Sequence, residues 1–375
     1  MNFDFSDDQK MLKEQAHKFL SEKCTPKTVR AVYESGKTHD AALWKQIGEL
    51  GWAGAAIPEE FGGLGLGYLE LCVIVEELGR ALAPVPFSST VCQFAEALIV
   101  SGSSEQKSRL LPKVAAAEII GTLARTEGPG AILPKNIRTT FKGGKLSGKK
   151  TAVGDGMDAH FAVVLARASD EPGERGLQLV LVDLSQPCVT RRAQESIDPS
   201  RARAELIFDN VTAEPLGKQG EAWSDLNRVL DRAAILMAFE QVGGADTCLQ
   251  MARAYAMDRY AFGRPIASFQ AIKHKLADMY VNTELARSNA YYGAWALSTG
   301  ARELPLAAAA ARISATQAFD YAAKESIQTH GGVGFTWEYD CHFYYKRARE
   351  LSLALGAQRV WKDKLVTQLE LSNAA

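Results

Sequence analysis

The residues best suited to chemistry lie on one stretch, Ser224 to Gln270. Near its start an acid stands beside a base, Asp231-Arg232, and near its end stands Arg259. A carboxylate within hydrogen-bond reach of a substrate proton can act as a general base. A guanidinium offers paired donors that match a phosphate. A second acid, Glu240, follows Asp231 by nine residues. On a helix that is about 900° of rotation, which puts the two acids on opposite sides. They cannot line one pocket. Glu240 precedes Gly243-Gly244 and reads as the partner of a cation at a helix contact.

The elements that must position these residues are helical. Leu230, Ala234, Met237, Ala238, Ala245, Leu249, Ala252 and Ala256 recur at helical spacing. The period stops at Phe262-Gly263-Arg264-Pro265, and Ser268 is expected to cap the next helix. Upstream, Asp4 or Ser6 can cap a helix through Leu20. Further helices are expected over Ala41 to Leu50, Tyr68 to Leu82, Ser88 to Ser101 and Ser104 to Ala117. The glycines of Ile57 to Gly67 have the wrong spacing for a dinucleotide fingerprint, and no strand precedes them. From about residue 119 the texture becomes short β-branched runs separated by Gly, Asp, Pro and Ser, up to about Leu216-Gly217. Helical period then returns through Thr299, over Leu304 to Thr329, and in a final helix from Tyr339 to Leu371. This order argues for an α+β chain in three segments, helical over 1–118, β over 119–219 and helical over 220–375.

Composition narrows the function. A formal net charge of −1 gives no electrostatic case for nucleic acid or an anionic membrane. No apolar run approaches the roughly 20 residues of a membrane span. The acidic start, MNFDFSDDQK, lacks the form of a signal peptide. Six scattered cysteines without a CxxC pair suit reduced thiols in a cytoplasm and offer no metal site.

Five stretches carry a resemblance. They are Ile57-Pro58-Glu59-Glu60-Phe61-Gly62-Gly63, Thr126-Glu127, the two strands within Leu146 to Arg167 (taken as a pair), Arg259 with Phe262-Gly263 and Gln270, and Gln328 with Gly331-Gly332 and Gly334. In this order and spacing the whole chain resembles the acyl-CoA dehydrogenase family. The resemblance implies a helical domain, a central β-barrel or sandwich and a C-terminal four-helix bundle, assembled as a dimer of dimers. It implies FAD as cofactor, an acyl-CoA substrate and an electron-transfer flavoprotein as electron acceptor. The reaction would be α,β-desaturation of the thioester. A carboxylate takes the α-proton, donors polarise the thioester carbonyl, and the flavin takes the β-hydrogen as hydride.

The sequence departs from that pattern on one side. A family position for the base, a Glu before a glycine, is Leu355 here, and Glu350 lies about 140° away round a helix. Another family position, directly before an arginine, is Asp231, with Arg232 assigned to the substrate. The plain alternative is an acid favoured by a helix N-terminus, worth about 0.3–1 kcal/mol. The Trp-x-Thr pair that the family offers the flavin ring aligns with Ala152 and Gly154, and the Gly-Ser-Asp after Thr126-Glu127 with Ala131-Ile132-Leu133. The side facing the adenosine diphosphate is retained. Arg259, Gln270, Gln328, Gly331 and Gly332 match the contacts there, and Thr126 and Phe262 match other cofactor-contacting positions. Arg259 could instead be a salt bridge at a helix end, and Gly331-Gly332 only a turn. The pattern resembles bacterial α2β2 acyl-CoA dehydrogenases whose unlike subunits share each FAD, some acting on steroid side chains, dicarboxylic acids or ring-bearing acyl groups; fatty acid or steroid side-chain degradation is the expected setting. The alternatives are a non-catalytic partner that completes FAD binding for another chain, and a flavin-dependent acyl-CoA oxidase.

Overall fold

The computed structural model of the chain describes residues 6–373, so Asp4 lies outside the described residues. Helix α1 (Asp7–Lys23) starts at Ser6 with a reciprocal cap. Gln9 N donates to the Ser6 hydroxyl at 3.2 Å and Ser6 N donates to the Gln9 side chain at 3.0 Å. Then follow α2 (Pro26–Ser35), α3 (Ala41–Glu49) and α4 (Tyr68–Arg80). Helix α5 (Phe87–Ser89), a π-helical segment (Thr90–Ala95) and α6 (Glu96–Ser101) run on without a break, and α7 (Ser104–Ala115) follows. Helix α2 was not foreseen; its first residue is Pro26, which suits the first turn of a helix.

All seven expected strands form. They are β1 (Gly121–Ala124), β2 (Thr140–Lys142), β3 (Lys145–Gly154), β4 (Phe161–Arg167), β5 (Leu177–Asp183), β6 (Val189–Gln194) and β7 (Arg203–Leu216). The order is β1-β4-β2-β3-β7-β5, with β6 on β7, and a β4–β5 pairing closes the sheet on itself. The strands β3 and β4, expected as a pair, do not pair with each other. β2 lies between them, antiparallel to β3 and parallel to β4. The closed sheet buries Leu146, Val153, Val164, Val180, Val182, Leu206 and Phe208.

The long helix α8 (Ala222–Asp258) leads into a hairpin of β8 (Tyr260–Ala261) and β9 (Arg264–Pro265), then α9 (Gln270–Thr299), α10 (Leu304–His330), α11 (Cys341–Ala354) and α12 (Gln358–Asn373). Two expectations fail here. Ser268 does not cap α9: its hydroxyl donates to Pro265 O at 2.7 Å inside a 3-10 turn, and Phe269 is the cap residue. The final helix is two helices. Gly356 has φ +102°, outside helical space, and Leu355 caps α11.

The chain forms two compact units. A helical unit comprises the described parts of Met1–Arg30, Tyr68–Ala83 and Ala234–Ala375; a β-containing unit comprises Ala31–Gly67 and Pro84–Ala233. In the helical unit α4 and α8 approach backbone to backbone. A Cβ on Gly79 would lie 2.1 Å from Glu240 O, and one on Gly243 2.0 Å from Glu76 O. Only glycine fits such contacts. Glu76 is buried there beside Arg287, Lys13 (3.0 Å) and Arg80 (3.5 Å). Burial alone would raise its pKa, but these cations outweigh it and hold the carboxyl below its ordinary range.

Candidate functional site

In the β-containing unit Asp231 lies on α8 and is 3 % exposed. It is beyond the first helical turn, whose acid is Asp225, bonded to the Ser101 hydroxyl at 2.8 Å. The helix dipole acts mainly within that first turn, so it does not account for Asp231. Its neighbour Arg232 forms an ion pair with the buried Glu96 of α6. Glu96 gave no signal in the sequence, because nothing local to the π-helical segment marks it as a partner of residue 232.

Thr126 follows β1, and its carbonyl accepts a bond from Thr151 N at 2.8 Å. Ala152 sits nearby on β3 with φ +52°. Arg203 of β7 donates to Ala152 O at 3.2 Å, and a Cβ on Gly154 would lie 3.1 Å from the Arg203 guanidinium. Arg125 is buried close to Arg203. Burial, and then the charge of Arg203, lower its pKa to about 10. A guanidinium therefore stands at the strand position where the sequence lacks an aromatic and a hydroxyl. The segment after Thr126 lines a cavity of about 490 Å³, together with Arg125, Thr139 and Lys149.

The helical unit assembles another set. Arg259 N donates to Tyr255 O at 2.8 Å at the end of α8, and Tyr255 stacks on His330 with ring centroids 4.4 Å apart. That stack places the ends of α8 and α10 side by side. His330 is buried in this contact, its Nδ1 2.7 Å from Ser326 O. Gly331 and Gly332 follow it directly; a Cβ on either would meet no described atom within 4 Å. Phe262, at the tip of the hairpin, is 95 % exposed. Arg259, Gln270 and Gln328 are exposed as well. Guanidinium, two amides, open glycine backbone and a bare aromatic ring are what a nucleotide diphosphate can use.

The other acids have structural tasks. Glu240 pairs with Arg347 at 3.3 Å, both buried, as expected of a cation at a helix contact. Leu355 is 2 % exposed and its carbonyl accepts from Trp361 Nε1 at 3.2 Å.

Comparison with known proteins turns these halves into one reading. The model described as "Acyl-CoA dehydrogenase, N-terminal domain" matches residues 6–118, and "Acyl-CoA dehydrogenase, C-terminal domain" matches residues 220–369. The chain belongs to the acyl-CoA dehydrogenase family. It is thereby placed among acyl-CoA dehydrogenase oxidoreductases. It is 33% identical to acyl-CoA dehydrogenase IpdE2 of Mycobacterium tuberculosis, covering 94% of each chain. Its fold matches butyryl-CoA dehydrogenase of Megasphaera elsdenii with a TM-score of 0.92 at 25% identity, over 98% of this chain and 100% of the other. It also matches a chain of the ChsE4-ChsE5 complex of Mycobacterium tuberculosis with a TM-score of 0.89 at 25% identity, over 99% of each.

The family's FAD fits this chain in part. The exposed set on the helical unit suits the diphosphate and adenosine half. On the β-containing unit the positions matching the family's ring contacts are Ala152 and Gly154, which bring neither an aromatic face nor a side-chain hydroxyl, with the Arg203 guanidinium beside them. Among the described residues no helix is long and apolar enough to cross a membrane.

Proposed function

We propose that this chain is one subunit of an FAD-dependent acyl-CoA dehydrogenase assembled from unlike chains, acting on a fatty or steroid side-chain thioester. Three segments, 1–118, 119–219 and 220–375, serve as its N-terminal helical, central β and C-terminal helical domains. The observation that carries the reading is the division of the cofactor-side residues. Arg259, Phe262, Gln270, Gln328, Gly331 and Gly332 are exposed or open, while on the β-containing unit the Arg203 guanidinium lies against Gly154 and bonds Ala152 O. The first set would hold the diphosphate half of an FAD shared with a neighbouring chain, and Thr126 would face the same cofactor. The likeness to the ChsE4-ChsE5 complex supports an assembly of two different chains.

Bound FAD supplies the acceptor for the β-hydrogen. The chain's own part is proton chemistry and positioning. Asp231, nearly excluded from water, is the carboxylate assigned to the α-proton. Arg232, held by its ion pair with Glu96, is the residue assigned to the substrate. An electron-transfer flavoprotein would reoxidise the cofactor, and the assembly would be a cytoplasmic dimer of dimers. With the reconstituted pair of chains, Asp231→Ala is expected to lower turnover by about 10²–10⁴-fold while flavin content is unchanged. Turnover within twofold of the parent would instead favour a non-catalytic partner that completes FAD binding for another chain. The guanidinium at Gly154 is the observation on that side.

A further inference from the structure

We propose that Glu127 is a positioning residue: together with Lys150 it clasps the loop from Gly128 to Arg138 over its cavity and thereby sets Thr126 for the flavin. Only the last clause rests on the proposed function; the clasp itself stands on geometry.

The Glu127 carboxylate opens the loop and also closes it. It accepts from Arg138 N at 2.7 Å and Thr139 N at 3.0 Å, eleven and twelve residues onward. It also accepts from Lys150 Nζ at 2.6 Å. Lys150 lies on β3 with 0% of its side chain exposed, next to Thr151, whose N–H holds the Thr126 carbonyl. One strand thus fixes both the backbone of Thr126 and the side chain of Glu127. A second tie comes from β4. Arg167 donates to Pro134 O at 2.5 Å and Ile137 O at 3.2 Å. Between these ties the loop has little packing of its own, and a Cβ on Gly128 or Gly130 would meet no described atom within 4 Å. A buried ammonium is costly to maintain where an apolar side chain would pack as well, so its presence needs a reason beyond stability. Ordering a segment that lines the cavity is such a reason.

The charges around Lys150 leave Glu127 as its counter-ion. On β2, Lys142 pairs with Asp170; on β7, Glu205 pairs with Lys149 and Arg192. Burial lowers the Lys150 pKa to about 8, with Glu127 opposing that shift. The clasp therefore loses its charge as pH rises through that value. The sign for global stability is opposite. A lysine whose folded pKa lies below its unfolded one binds its proton more weakly when folded, so the destabilisation it causes is full below the folded pKa and fades towards the unfolded pKa. The loop should loosen with alkali while the fold does not.

The test uses the full chain, alone and with its partner chain. Trypsin can reach the loop at the exposed Lys135 and Arg138. Cleavage there, scaled to an unstructured peptide of the same sequence, is expected to rise from pH 7 to pH 9.5 with no fall in Tm. Lys150→Arg, which keeps its charge, should stay flat across that range. Glu127→Gln, which preserves size where Lys150→Met could fail to fold, should be cleaved about tenfold faster at pH 7 and hold FAD about tenfold more weakly. Unchanged cleavage in Glu127→Gln overturns the clasp. Faster cleavage with FAD affinity unchanged overturns the positioning role. Loss of FAD binding in the parent pair overturns the functional reading, and the cleavage result then decides the clasp by itself.

Discussion

The end of α8 and α10 in the helical unit and the strand face around Ala152 in the β-containing unit are built in opposite ways. At the helix ends polar and aromatic groups are presented outward, Phe262 nearly bare and Gly331-Gly332 open above them. At β3 and β7 the groups engage one another: Arg203 reaches Gly154 and bonds the carbonyl of the exposed Ala152, and Arg125 lies buried beside it. Exposed donors without internal partners are what a surface keeps for another molecule. A face satisfied from within has less to offer one. On the function proposed above, the outward-facing half is the one that would serve a neighbour.

The two acids on α8 give the same contrast on a smaller scale and the largest expected effects. Asp231→Ala should lower turnover by the factor given above, with a smaller loss of thermal stability than Arg347→Ala. Arg347→Ala should do the reverse. It removes a buried cation from beside the buried Glu240 and is expected to destabilise by about 3–5 kcal/mol in urea titration, with residual turnover per folded molecule unchanged. If both variants lose stability alike, the assignment of separate tasks breaks.

Arg259→Ala sharpens the comparison next. Loss of a charged hydrogen-bond donor to a phosphate is expected to weaken FAD binding by about 1.5–3 kcal/mol, read by equilibrium dialysis of the two-chain assembly. Gly154→Ala should have the smallest effect. The added methyl meets only the tip of the Arg203 side chain, so the melting temperature is expected to move by the equivalent of under about 1 kcal/mol, with FAD binding unchanged. A large loss of FAD on Gly154→Ala would show that the ring side is in use after all.

What could be read from the sequence follows the reach of each signal. Local periodicity marked all seven strands and the long helices, because alternation and helical spacing are properties of neighbours in sequence. That Glu240 pairs with a cation was legible from its helix position and the Gly243-Gly244 after it, but not that the cation is Arg347. Features set by partners distant in sequence were not. The interposed β2 between β3 and β4 depends on a parallel pairing that no local pattern encodes. Glu96 meets Arg232 across 136 residues, and Glu127 meets Lys150 across 23. The break at Gly356 was visible as a glycine but was overruled by the apolar period on either side. Ser268 looked like a cap by residue type, yet the preceding Pro265 carbonyl takes its hydroxyl. The lost Trp-x-Thr positions were legible as absences, whereas the Arg203 that fills them was not, because it arrives from another strand.

The most direct test of the central claim is the visible absorption spectrum of this chain purified alone and again together with an unlike chain of the same family, with flavin per chain quantified. The account expects a colourless chain that becomes yellow only in the two-chain assembly, and loses that colour when Arg259 is replaced by alanine. A chain that alone carries close to one flavin, bleached by added acyl-CoA, would contradict it.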